Sequence, residues 1–397
     1  MKCLATIALL SSFLLTKAQL PNTLISNPRR LQEVKQKFQQ KDPAAIGAIA
    51  RLQKQADSLL DIKPMSVMEK AFTPASGNKH DYMSQAPYFW YDSSKPNGLP
   101  YLRRDGERNP EIYKITDRTY LGKIENATRI LSLAWYFTGQ EKYATKAAII
   151  LRTWFLDDAT KMNPNLDYGQ AIPGINTGRG IGIIETIALT GIADAAILLL
   201  GASSWKTNDE QSLKQWYAQY LNWMLTSKNG KEEHAAKNNH GTWYYAQAID
   251  FALFTGDKKM AVDLINESKK RLDSQLTAEG KQPLELERTN GLGYSTMNLH
   301  GWFTLATLAG KAGIDLWNYQ TPLKASLKTA FDWLSPYAMG TENWTYQQIS
   351  KYNSKSEFYP LLLQAAAGFN DSNYLQKAKS INKGEPDMLT ELLYSNN

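Results

Sequence analysis

The chain reads as an all-α protein, a series of antiparallel helix hairpins closed into a toroid. Three observations predict this. Almost every long segment carries an apolar rhythm of about 3.6 residues. The segments run for about 12 to 20 residues and are joined by short turns, which makes consecutive helices antiparallel neighbours. No fixed-period repeat marks a stacked solenoid, while long irregular insertions interrupt the array, so closure is favoured over stacking.

The N-terminus departs from that rhythm. Met1 and Lys2 lead into the apolar run Leu4 to Leu15, and Thr16-Lys17-Ala18 precedes Gln19. This predicts a signal peptide cut after Ala18 and a periplasmic or secreted protein. The run is shorter than the roughly twenty residues of a spanning helix, and no comparable run is expected downstream, so no membrane insertion is expected. Cys3, the single cysteine, lies in the leader, leaving the mature chain without disulfides. Residues 19–397 then form one catalytic domain, with 25–62 a polar helical arm or an outer packing element.

Helical periods follow over residues 124–137, 142–155, 181–200, 211–225, 243–254, 258–276, 297–312 and 323–334. Stops are written as Thr138-Gly139-Gln140, Thr255-Gly256-Asp257 and Ala312-Gly313-Ile314, since glycine ends helices in the left-handed region. Insertions at 72–112, 157–179 and 278–293 are rich in Tyr, Trp, Asn and Arg; loops of that length in a compact domain usually carry function, and they are expected to wall a cleft.

Formal net charge is +7, and loss of Lys2 and Lys17 with the leader lowers it to +5. A mildly basic surface favours an acidic partner without naming it. His80, His234, His240 and His300 form no HExxH or other close pair, so no metal is expected. Thr177-Gly178-Arg179-Gly180-Ile181-Gly182 fits neither GxGxxG nor the P-loop, and neither a nucleotide cofactor nor a nucleic-acid partner is expected.

Two segments carry chemistry. Asn238-Asn239-His240-Gly241-Thr242-Trp243 enters a helix, where unpaired backbone N–H groups and the positive end of the dipole suit a carboxylate. Ordinary asparagine capping with a packed histidine would use the same residues. Further on, Leu284-Glu285-Leu286-Glu287-Arg288 precedes Thr289-Asn290-Gly291-Leu292-Gly293-Tyr294. Arg288 and Tyr294 flank a glycine-rich turn, and their bland alternative is an ion pair and a packing residue.

Together, in this order and at this separation, the two segments resemble the Asn-Asn-His and Leu-Glu-Arg…Tyr motifs of the alginate lyase superfamily. The similarity extends through Gly77 to Tyr82, Gly98 to Gly106 and Tyr168 to Arg179, covering most of residues 70–340. The resemblance implies an (α/α) toroid, an incomplete helical barrel, and a polysaccharide lyase that cleaves 1,4-linked uronates such as alginate by β-elimination. It implies further that Asn239, His240 and Arg288 surround the substrate carboxylate while Tyr294 lies beside C5 and O4. Removing the C5 proton builds a second charge on the carboxyl group, and preorganised donors stabilise that transition state. Tyr294, activated by Arg288, would shuttle the proton where H5 and O4 share a face; where they oppose, His240 would be base and Tyr294 acid.

Two departures set the chain nearer family thirty-eight than family five: Thr242 stands where an aromatic is usual, and Ser295 where a histidine is usual. Both are expected to alter the subsite walls. Gln170 and Arg179 are candidates for binding further uronates, and His80, Tyr82, Trp90 and Arg103 lie on the insertion most able to form a lid. Two other classes use the same features. A glycoside hydrolase would draw two acids from Asp167, Glu185, Glu285 and Glu287; a glycan-binding protein would use the aromatic residues without turnover.

Overall fold

The computed structural model describes residues 20–382, so the expected leader and its cut lie outside the described residues. Two helices open the chain, α1 (Pro28–Gln39) and α2 (Pro43–Ser58), each capped by an Asx side chain and each carrying proline in its first turn. Leu31, Val34, Ile49, Leu52 and Ala56 of this pair belong to the main core. The carboxylate of Asp194 accepts hydrogen bonds from the backbone N–H groups of Leu24, Ile25 and Ser26. Residues 25–62 are thus part of the body rather than a free arm.

The toroid proper begins with α3 (Asp117–Thr138) and α4 (Glu141–Leu151), a hairpin turned at Gly139 with φ 68°. It continues through α5 (Ala188–Leu198), α6 (Thr207–Thr226), α7 (Lys228–His234), α8 (Asn239–Thr255), α9 (Lys258–Lys269), α10 (Leu272–Gln275), α11 (Pro283–Leu286) and α12 (Gly291–Lys311). Helices α13 (Leu327–Ala338), α14 (Ser354–Glu357), α15 (Tyr359–Gly368) and α16 (Asn373–Ile381) complete it. The most extensive packing joins α3 to α5, α8 to α12, α3 to α4 and α8 to α9. Central α8 is accordingly buried almost throughout, from Gly241 to Ala252.

Three expected helices are interrupted. The period over 181–200 divides into 3-10 turns at Gly180–Ile187 followed by α5. Here Gly182 packs backbone to backbone against Gly169: a Cβ on Gly182 would lie 2.7 Å from the Gly169 carbonyl carbon. This stretch, Gly180–Leu198, is also long and apolar enough by composition to span a bilayer, contrary to expectation, but 61% of it is buried among its neighbours. Likewise, α4 unwinds into a π turn at Arg152–Leu156, and the 258–276 period breaks between α9 and α10. At that break Arg271 turns inward and donates to the carbonyls of His234 and Ala236.

Two short ribbons lie over one end. Strand β1 (Met83–Gln85) pairs in parallel with β4 (Tyr168–Ala171), and β2 (Phe89–Trp90) pairs antiparallel with β3 (Leu102–Arg103). They bring the first two insertions together above the N-termini of α8 and α12.

Candidate active site

All three insertions converge on a cleft of about 410 Å³. Tyr88, Phe89, Arg103 and Arg108 come from the first, Gln170 and Arg179 from the second, Arg288 from the third; Arg118, Asn239, His240 and Tyr294 complete the walls. Five arginines and no acidic side chain line it.

Helix α8 starts at Asn239 because Asn238 is extended (φ −94°, ψ −160°). The helix end does receive a carboxylate, but an internal one: Glu285 accepts from the Asn239 backbone N–H and side-chain amide, both at 2.7 Å. Burial raises the Glu285 carboxyl, against the Asn239 bonds, which lower it. One amide hydrogen of Asn239 is used here, and the second remains for another acceptor.

His240 follows on the same first turn. Its Nδ1 lies 2.6 Å from Oε1 of Glu233, a buried side chain on α7. An N–H at Nδ1 bonded to the carboxylate leaves Nε2 as a lone pair, the arrangement of an oriented general base. Nothing in the local sequence announced Glu233, because the two residues lie on separate helices, α7 and α8, and the turn between them sets their contact.

Arg288 and Tyr294 are stacked, with the guanidinium carbon 4.0 Å from the ring centroid. Arg288 is also gripped by Asp105 through Nε to Oδ2 (3.0 Å) and Nη2 to Oδ1 (2.8 Å). Burial pushes Asp105 up, yet the hydrogen bond and charge of Arg288 prevail and hold it down at about 2. The Tyr294 hydroxyl donates to that of Tyr88 at 2.8 Å. Burial, then the Tyr88 bond, raises the Tyr294 phenol, and Arg288 only partly opposes them. Arg288 does act on Tyr294 in the expected direction, lowering the phenol, but burial and the Tyr88 bond outweigh it, and Asp105 shares the cation.

Of the candidate substrate contacts, Arg103, Gln170 and Arg179 line the cleft. Arg179 donates to the Gln170 carbonyl (3.2 Å) and side-chain oxygen (2.8 Å) and lies over the Phe89 ring at 5.2 Å. Gln170 holds φ +50°, an uncommon value for a side-chain-bearing residue that recurs at functional sites. The other three candidates sit elsewhere. Tyr82 is fully buried and donates to Glu185. His80 faces the carbonyl of Lys161. Trp90 bonds Glu107 and leaves the cleft to Phe89, since successive strand side chains point to opposite faces.

Thr242 and Ser295 are both fully buried, so the two departures alter the floor beneath the cleft rather than its walls. The Thr242 hydroxyl lies 2.9 Å from Gln275 Oε1 and 2.7 Å from Asn298 Oδ1. Among the described residues no group of three His, Cys, Asp or Glu side chains is arranged to hold a metal ion.

A glycoside hydrolase needs two carboxyl groups flanking the bond, and none of Asp167, Glu185, Glu285 or Glu287 lines the cleft. An arginine-walled groove ending on an imidazole and a phenol suits proton transfer on an acidic glycan, which defines the class as a polysaccharide lyase. Residues 66–344 match the alginate lyase family model, and the chain belongs to that family. An alginate lyase from Bacteroides ovatus is 40% identical, with 95% of this chain and 100% of that one covered and a TM-score of 0.91. Alginate lyase A1-III complexed with tetrasaccharide shares the fold at 15% identity, covering 96% of this chain and 97% of that one, with a TM-score of 0.58. Comparison with curated proteins returns no match.

Proposed function

We propose that this lyase cleaves 1,4-linked uronate polymers, alginate first among them, by metal-independent β-elimination outside the cytoplasm. The observation that carries the reading is the cleft wall, five arginines without an acid, converging on His240 and Tyr294. A polymer with a carboxylate on every sugar matches that wall. The B. ovatus relative, an alginate lyase, supports the choice of polymer.

In the proposed reaction the uronate carboxylate sits against the free amide hydrogen of Asn239 and the outer edge of Arg288. His240 Nε2 takes the C5 proton, the C–H electrons become the C4=C5 double bond, and the C4–O4 bond breaks. Tyr294 delivers its proton to the departing O4, leaving a 4,5-unsaturated uronate and a new reducing end. Two features support this assignment of base and acid: the Glu233 contact at His240 Nδ1 favours a lone pair at Nε2, and burial with the Tyr88 bond raises the Tyr294 phenol.

The test is ultraviolet absorbance during incubation with polymannuronate, polyguluronate and glucuronan, each with and without chelator. A chelator-insensitive rise that is lost in Tyr294→Phe supports elimination and identifies the uronate. Hydrolytic products without absorbance would exclude it.

A further inference from the structure

The loop after β3 bears on the reactive groups although it contributes none of them. Asp105 lies 183 positions before Arg288 in sequence, yet its carboxylate forms a two-pronged pair with that guanidinium. Thr289 adds a hydroxyl donor to the same carboxylate at 3.1 Å. Arg103 Nη2 shares Oδ1 with Arg288, also at 2.8 Å. The next residue, Gly106 (φ +76°), is pressed against the third insertion: a Cβ there would lie 2.5 Å from Thr289 Oγ1 and 2.7 Å from Asn290 Nδ2. Only a glycine lets Asp105 come this close.

We propose that Asp105 is a positioning residue of the lyase site, holding the Arg288 guanidinium over the Tyr294 ring and opposing its charge there. The proposal rests on the lyase reading for its purpose but not for its physics. The bidentate pair uses Nε and Nη2 of Arg288, so Nη1 is the edge left to meet a substrate carboxylate. A lone cation 4.0 Å from the ring would favour the phenolate, and the Asp105 carboxylate, although shared with Arg103, weakens that pull. Asp105 thereby keeps the acid form of Tyr294 in place until the leaving oxygen needs it.

The other ionisable groups around the phenol are Tyr88, Arg103 and Arg108 from the first insertion, His240 with Glu233 behind it, and Arg118 and Arg179, which also line the cleft. Tyr88 contributes a hydrogen bond, and Arg103 shares the Asp105 carboxylate. Asp105 is the acid joined directly to the stacked cation.

The experiment is an ultraviolet phenolate titration of the whole protein, with the Tyr294→Phe curve subtracted in each background. Asp105→Asn is expected to lower the Tyr294 midpoint by about one pH unit or more. Asp105→Glu, which restores the charge, is expected to stay near wild type, and thermal unfolding confirms that both variants fold. Kinetically, Asp105→Asn is expected to lower kcat at least about tenfold, with the alkaline limb of the pH profile moved the same way. An unchanged phenolate midpoint in Asp105→Asn overturns the proposal and leaves Asp105 as a brace between loops. Because the titration needs no turnover, a wild-type protein that makes no unsaturated product would defeat the lyase reading while the midpoint still decides the role of Asp105.

Discussion

Glu233 on α7 and His240 on α8 are joined by a 2.6 Å hydrogen bond between Oε1 and Nδ1. The carboxylate is buried and the imidazole partly exposed to the cleft, so the pair points a single nitrogen at substrate. Replacing Glu233 by Gln preserves volume while removing the charge and the tautomer preference. Initial rates are expected to show kcat reduced about a hundredfold or more with KM little altered. Full activity in Glu233→Gln would mean that His240 needs no orienting partner.

The arginines opposite the reacting groups are expected to act on binding. Arg118→Ala and Arg179→Ala each remove a cation from the cleft lining. KM on polymer is expected to rise about tenfold per arginine, with kcat changed much less, and the wild-type KM to climb with ionic strength. A fall in kcat at constant KM would place these residues in the chemical step instead.

Beneath the cleft, Lys70 and Asp117 form a fully buried ion pair at 3.0 Å. Burial pushes Asp117 up to about 6, against the charge of Lys70. Lys70 also donates to the carbonyls of Val67 and Lys79 at 2.7 Å. Lys70→Met leaves one buried charge and two carbonyls unanswered, and is expected to cost about 3–5 kcal/mol in chemical denaturation. A loss below about 1 kcal/mol would show that Asp117 simply takes up a proton.

Asp250 lies in the core of α8 with neither carboxylate oxygen hydrogen-bonded. Burial, followed by the charge of Asp194, raises its carboxyl well above the ordinary value. The unfolded chain releases this proton above about pH 4 and the folded one retains it, so folding becomes less favourable as pH rises between the two values, by up to about 1.4 kcal/mol per unit. Asp250→Asn is expected to flatten the decline in melting temperature between pH 5 and 8, scanned by calorimetry. Parallel wild-type and variant curves would count against a raised Asp250.

Much of the architecture was legible because helix periodicity is a local property. Gly139, Gly256 and Gly313 were read as stops and adopt φ values of 68°, 95° and 85°. The interruptions were not legible. Nothing local shows that Gly182 will meet Gly169 or that Arg271 will turn inward, since both depend on partners distant in sequence. Similarly, the N-terminus of α12 is capped by Gln348, whose side-chain oxygen lies 3.1 Å from the Leu292 N–H and 3.3 Å from that of Gly293.

Helical class, the three insertions and the convergence of Asn239, His240, Arg288 and Tyr294 on one cleft could be expected from the order of residues alone. Each is carried by short-range pattern or by a motif read along the chain. Only the tertiary structure decided their electrostatic state. Glu285 occupies the helix end, Glu233 bonds His240, Asp105 pairs with Arg288, and Tyr88 accepts from the Tyr294 hydroxyl. Charge and proton affinity depend on the groups within a few ångströms and on the exclusion of water, and folding brings those groups together from positions as far apart as Asp105 and Arg288.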